Sequence, residues 1–446
     1  MASDSQDGDQ QQFSCSFRWR VPARFNIAED VCGRWAGDRG RFALYYEDAS
    51  GFSSAHTFWD IQRDANRLSN VLAALATVAG DRVAIVLPQR PEAAIAQVAI
   101  LQMGAIAVPL APRLGPDALA HRLDDSGAYL AIVDETALPA LAQVRHRLPA
   151  LRHVIGVGAA VGGAVRPWAA VVEHASPRYA PTDTAAADPA LILYPDAPAR
   201  GAQGVLLAQR ALLGNVGAYA SAHECFPQDA DLFWSPLDWA CTGGLLQGLL
   251  ATWHFGRPLL AYNGPFDAGK AFALLQHYAV RNCLLEPSAL QMLQQTLPDP
   301  RATCDLELRT LASSGEPLNE ATHNWSQDKL GVTISEIWCG TGISGILGPC
   351  AARWSTSPGS LGRPYPGHRV AVLDHQGALL GAGAVGALAV HRVCNGEEDP
   401  AVPLGSWPGH AASDARLLGD GWFLTGALVA ADAKGDFWYR GRAADV

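Results

Sequence analysis

A chain of 446 residues that is 49% hydrophobic and only 17% charged has room for several cores, which excludes a disordered polypeptide and a small stapled scaffold. Lys plus Arg number 33 against 43 Asp plus Glu, a net charge of −10. That sign excludes a protein whose main work is gripping phosphate backbones, so nucleic acid is not an expected partner.

The start, MASDSQDGDQQQ, is acidic and polar and lacks the basic and apolar regions of a signal peptide. Residues 1–25 are therefore expected to be a disordered tail. From residue 26, helical and extended patterns alternate. Asp60–Leu75 places Ile61, Ala65, Leu68, Val71, Leu72 and Leu75 at steps of three and four, one apolar helical stripe. RVAIVLP (82–88), AIAVPL (105–110), YLAIVD (129–134) and HVIGVG (153–158) are short apolar runs of strand length, separated by helical patterns after Pro91 and Pro116. Such strands belong to a parallel sheet covered on both faces. The Gly, Ala and Pro-rich stretch Gly158–Thr184 reads as a connection. Alternation then resumes with ALILY (190–194), a helix near Leu206–Ala218, NCLLEP (282–287), a helix over Ser288–Leu297, RTLASS (309–314) and VTISEIW (332–338). Beyond Gly359 only strands follow, with Ala433-Lys434-Gly435 as a hairpin turn. The fold class is α/β: two doubly wound β/α subdomains over 26–180 and 181–365, and a small β-barrel-like subdomain over 366–446.

Nine cysteines carry no C-x-x-C pair, and an odd number cannot be fully bridged within one chain, so a reducing, cytoplasmic setting is expected. No apolar run reaches the roughly 18 residues of a membrane helix. Gly340-x-Gly342-x-x-Gly345 and Gly381-x-Gly383-x-x-Gly386 match a dinucleotide pattern but lack its strand-to-helix context, and both read as ordinary turns. Nucleophile elbow, zinc-protease and Walker motifs are absent from the sequence, and no histidine pair has zinc-ligand spacing, so no metal ligand is assigned.

Several segments taken together resemble one family: RFALYYEDASG (41–51), DRVAIVLPQRPE (81–92), FWSPLDWACTGGLLQGLL (233–250), SSGEPL (313–318), SLGRPYPGHRVAVLD (360–374) and the stretch from Trp422 to Val446. They are similar to the AMP-forming acyl-CoA synthetases of the adenylate-forming superfamily, especially acetate and medium-chain members. The resemblance implies the N-terminal domain of such a ligase and a place in fatty-acid metabolism. ATP, magnesium and coenzyme A are the family's cofactors, with a carboxylic acid or acyl-CoA as ligand. The family's hinge signature falls on Gly441–Asp445, so the C-terminal lid domain with its lysine is expected to be absent.

The resemblance also assigns site residues. Gly315, Glu316 and Pro317 match the stretch beside adenine, Trp338 the adenine-packing aromatic, Thr341 the α-phosphate threonine, and Thr425 part of the ribose signature. Arg442 belongs to the hinge, and Trp239, Thr242 and Gly243 border the acyl tunnel. Three signatures are degenerate. The hydroxyl-rich phosphate loop becomes Tyr194–Gly204, with Asp196 in it, Gln203 at its lysine and Arg200 as the only compensation. Glycine stands at 342 where the magnesium carboxylate belongs, and glycine offers magnesium no oxygen ligand. Ala427 replaces the ribose aspartate. No catalytic residue is intact, and no cofactor is expected to bind tightly. The leading expectation is a lidless, non-adenylating homologue acting as a ligand-binding or protein-interaction module. The alternatives are a working acid–CoA ligase with an unconventional nucleotide site or a lid supplied in trans, and a fragment of a longer chain. Restoring Gly342→Glu, Ala427→Asp and the hydroxyl loop together is expected to recover ATP binding.

Overall fold

The computed structural model describes residues 17–443, except 161, 196–201, 351–353, 355–356, 358 and 409–415. Its first sheet has eight strands in the order 405–407, 204–208, 189–193, 106–109, 82–86, 130–133, 153–156 and 165–167. The pairs from 189–193 onward are parallel, while Gly204–Ala208 and Gly405–Trp407 add antiparallel at one edge. A second, seven-stranded sheet runs 334–336, 310–313, 282–285, 233–234, 259–263, 42–48 and 53–57, parallel throughout except its last strand. Four antiparallel strands, Val370–Leu373, Val385–His391, Trp422–Ala431 and Phe437–Arg442, make the third unit.

The helix Phe58–Ala74 starts where Thr57 Oγ1 accepts from Asp60 N–H and the Asp60 carboxylate accepts from Thr57 N–H, a reciprocal cap of two otherwise orphaned donors. Its Ile61, Ala65, Leu68 and Leu72 are buried. The helix Pro91–Gln102 is buried on all sides, with only Glu92 spared. It joins one continuous core that contains Val83 and Ile85 of the first sheet and Leu44, Phe233 and Leu259 of the second.

Three boundaries differ from the sequence expectation. Strands Phe42–Asp48 and Ser53–Thr57 belong to the second sheet and Pro189–Leu193 to the first, so strand pairing crosses the division at 180 in both directions. Strand pairing is long-range, and local alternation cannot report it. The stretch read as a connection holds a strand, Val165–Pro167, and a short helix, Trp168–Val172. Residues 17–25 of the expected tail are docked: Trp19 donates to the Gly367 carbonyl at 2.9 Å and packs edge-on to His368, and Phe25 N–H donates to Thr184 O at 3.0 Å. Aromatic residues at 17 and 19 supply the apolar area that Met1–Gln12 lacks. Residues 1–16 lie outside the described residues.

Beneath the second sheet the fully buried Asp231 carboxylate accepts two bonds from Arg309, at 2.7 and 3.1 Å, and lies 3.6 Å from Arg281. Asp231→Ala leaves both guanidiniums without that partner and is expected to cost about 3 kcal/mol in urea unfolding. Nearby His223 is buried against Tyr219, Phe226 and Phe233, and burial, helped by the Arg309 charge, pushes its imidazole down to about 3. Below the ordinary histidine value the unfolded chain takes up a proton that the native chain refuses, so stability falls with pH from about 6.5 toward 3. Urea midpoints measured across that window are expected to fall less steeply in His223→Gln than in the parent.

Candidate functional site

The parallel strands of the second sheet end beside one cleft of about 350 Å³. Ligands of open α/β sheets gather at such carboxyl ends. Glu286 follows strand 282–285, Ser313–Pro317 follow strand 310–313, and Glu336–Thr341 follow strand 334–336. Thr425, Gly426, Ala427, Tyr439 and Arg442 close the cleft from the third unit, and Tyr194 and Pro195 from the first sheet.

Most residues assigned by the resemblance meet here: Gly315, Glu316, Pro317, Trp338, Thr341, Thr425, Arg442, Thr242, Gly243 and Ala427 all line the cleft. Trp338 is buried, and its ring lies so near Gly340 that a Cβ there would sit 2.5 Å from Cη2. Glycine at 340 therefore serves the tryptophan's close approach. Thr425 spends its hydroxyl inside the fold, donating to Leu388 O at 2.9 Å.

Three assigned positions stand elsewhere, Trp239, Gln203 and Gly342. Trp239 is 4% exposed within the main core and does not line the cleft, because its indole fills the space between helices and sheet. Gln203 is exposed and does not line it either. Asp196 and Arg200 lie outside the described residues.

Gly342 is buried and does not line the cleft. Its N–H donates to Thr242 Oγ1 at 2.9 Å and its φ is +72°. A Cβ at this position would lie 2.5 Å from Val205 Cγ1 and 2.8 Å from Val205 Cβ. The first sheet's strand Gly204–Ala208 thus occupies the space into which a carboxylate would grow. Ala427, 6% exposed, packs with Val429 and Phe423 in the core of the third unit. The expected rearming by three restorations therefore meets a barrier invisible in the sequence.

Sequence reasoning missed Glu286, Glu336, Cys241 and Cys339 as cleft residues. The first two stand within strand segments read only for their apolar pattern, NCLLEP (282–287) and VTISEIW (332–338), and at no recognised motif position. Glu336 accepts from Leu318 N–H at 3.1 Å, and burial raises its carboxyl above the usual carboxylate range. Burial also pushes the Cys339 thiol up to about 12, so it holds its proton at neutral pH and is a poor nucleophile.

At the position the resemblance gives the magnesium carboxylate, Gly342 has no side chain to offer the metal. Among the described residues no three acidic, histidine or cysteine side chains are grouped to hold a metal ion. The described charged lining of the cleft is Glu286, Glu316 and Glu336 against Arg442.

Three doubly wound and antiparallel units around a cleft at the strand ends define the adenylate-forming fold. A family description, AMP-binding enzyme, matches residues 34–396, and the chain belongs to that family. The acetyl-coenzyme A synthetase of Bacillus subtilis (strain 168) is 27% identical over 432 residues, covering 95% of this chain and 73% of that protein. That of Rhodobacter capsulatus is 28% identical over 467 residues, covering 97% and 69%. A crystal structure of a Brucella canis acyl-CoA synthetase superposes with a TM-score of 0.85 at 26% identity, covering 99% of this chain and 80% of that one. An anthranilate CoA ligase in complex with anthranoyl-AMP shares the fold, with a TM-score of 0.84 at 20% identity over 95% and 79% of the two chains.

Gly342→Glu is expected to lower stability by about 2 kcal/mol through overpacking against Val205, and to give no magnesium-ATP binding by calorimetry. Adding Val205→Gly should recover part of the loss in thermal unfolding. The positive φ leaves a residue of strain.

Proposed function

We propose that this acyl-CoA synthetase-like chain does not adenylate and uses the inherited cleft to bind a ligand or a protein partner. The observation that carries this reading is the packing of Val205 against Gly342, which fills the place of the metal carboxylate. Closure by a neighbouring side chain makes the loss part of the packing, beyond a change of one residue. Ala427, which lines the cleft, offers no carboxylate at the ribose position.

The ligand space is in keeping with the acyl and coenzyme A chemistry named for the relatives, since Thr242 and Gly243 still wall the cleft. Unbridged sulfur at all eight described cysteines is in keeping with a reducing, cytoplasmic setting. No helix among the described residues is long and apolar enough to cross a membrane.

The test is acid-dependent exchange of pyrophosphate into ATP by the purified chain with acetate, octanoate and benzoate. Losing one charge-stabilising contact typically costs about 100 to 1,000-fold, so exchange is expected at least about 100-fold below a working acetyl-coenzyme A synthetase. Exchange near that enzyme's rate would replace the reading with an acid–CoA ligase that handles ATP unconventionally. Trp338, Thr341 and Arg442, gathered on one cleft, are what favours this second reading.

A further inference from the structure

We propose that the cleft accepts an organic cation, an ammonium group carried on a flat apolar body, where its relatives' fold accepts an anionic nucleotide. This deepens the reading of a non-adenylating cleft and rests on it.

Charge is the first support. Glu286, Glu316 and Glu336 line the cleft, and Arg442 is the only cation among its described lining residues. The three carboxylates are not grouped around a single point that could hold a metal ion. They are spread along the walls, which suits a molecular cation better than an inorganic one. An ammonium in a partly desolvated cleft gains more from such carboxylates than it would in water.

A second, independent observation is Ser313. It is 1% exposed, lines the cleft, and its hydroxyl has no hydrogen-bond partner. In the parallel register Ser313 pairs with Glu336, so the two side chains stand on one face of the sheet. A buried hydroxyl without a partner can donate or accept; here its O–H can turn to the neighbouring Glu336 while its lone pairs take one of the three N–H donors of an ammonium. Serine and glutamate side by side offer that group one neutral and one charged oxygen.

The apolar body has a wall to meet. Trp338 and Tyr439 line the same cleft, and an aromatic face attracts a cation while packing against a ring. Burial raises the Glu336 carboxyl, and a cation beside it would hold that group ionised.

Three probes on one indole scaffold test the proposal: tryptamine, a cation; tryptophol, neutral; and indole-3-propionate, an anion. Each is titrated calorimetrically into the whole chain near neutral pH at low ionic strength. Tryptamine is expected to bind at least about tenfold more tightly than either of the others, and to weaken with added salt. Glu336→Gln keeps an acceptor for Leu318 N–H, and Glu286→Gln changes an exposed position, so both should fold, as thermal unfolding would show. Each is expected to weaken tryptamine about fivefold or more and to leave tryptophol unchanged. Equal or tighter binding of indole-3-propionate, no heat with tryptamine, or tryptamine affinity untouched in both folded variants would overturn the proposal. Pyrophosphate exchange separates the two claims. Exchange together with tryptamine selectivity would sink only the non-adenylating reading, and neither exchange nor selectivity would sink only the cation.

Discussion

The helix Pro91–Gln102 sets the terms for the rest of the molecule. Eleven of its twelve residues are buried, so no face of it can be left to water. A helix apolar all round must be covered from both sides, and strands 82–86 and 106–109 of the first sheet and the helix Phe58–Ala74 pack against it, within one continuous core that also holds residues of the second sheet. One of its buried amides is tied to the neighbouring helix: Gln102 donates to Ser69 Oγ at 2.6 Å and accepts from Gln62 at 2.8 Å. The two sheets share this core, and the first sheet's strand Gly204–Ala208 is held against the turn that follows the second sheet.

That contact is where Val205 meets Gly342. The same turn is tied from the other side by Thr242, whose hydroxyl accepts the Gly342 N–H, and by a buried cluster in which Ser344 donates to Asn215 Oδ1 at 2.5 Å and Gln247 reaches both residues. Position 342 is thus glycine for two reasons that reinforce each other, a left-handed φ and a filled Cβ position. A residue with a carboxylate would require strand Gly204–Ala208 to move, and that strand is paired on both sides, with 189–193 and with 405–407. The absence of a side chain at 342 is tied to packing, so it is coupled to the stability of the first sheet.

The cleft itself is a product of three units, and its electrostatics follow from what each contributes. Carboxylates come from the strand ends of the second sheet, and the guanidinium comes from the last strand of the third. The fold supplies the hollow, and the side chains decide its sign. Shared ancestry with acid-activating ligases therefore fixes where a ligand goes more firmly than which ligand it is.

Much of the secondary structure was legible in the sequence because it rests on local periodicity. The stripe from Ile61 to Leu72 became the buried face of a helix, and the apolar runs at 82–86, 106–109, 130–133 and 153–156 became buried parallel strands. The family was legible too, since its motifs are short and contiguous. Only the tertiary structure decided which strands share a sheet, sending Phe42–Asp48 across to pair with Leu259–Asn263. It also placed Trp239 in the core rather than at the cleft, and it set Glu286 and Ser313 beside a common space. Above all, the sequence showed that position 342 lacks a carboxylate, while the fold showed that Val205 stands where its Cβ would be, a contact invisible in the sequence because Val205 is 137 residues away along the chain and meets Gly342 only once both sheets share one core. Hydrophobic pattern and motif spacing act between neighbours in sequence, whereas exclusion of one side chain by another acts only between neighbours in space.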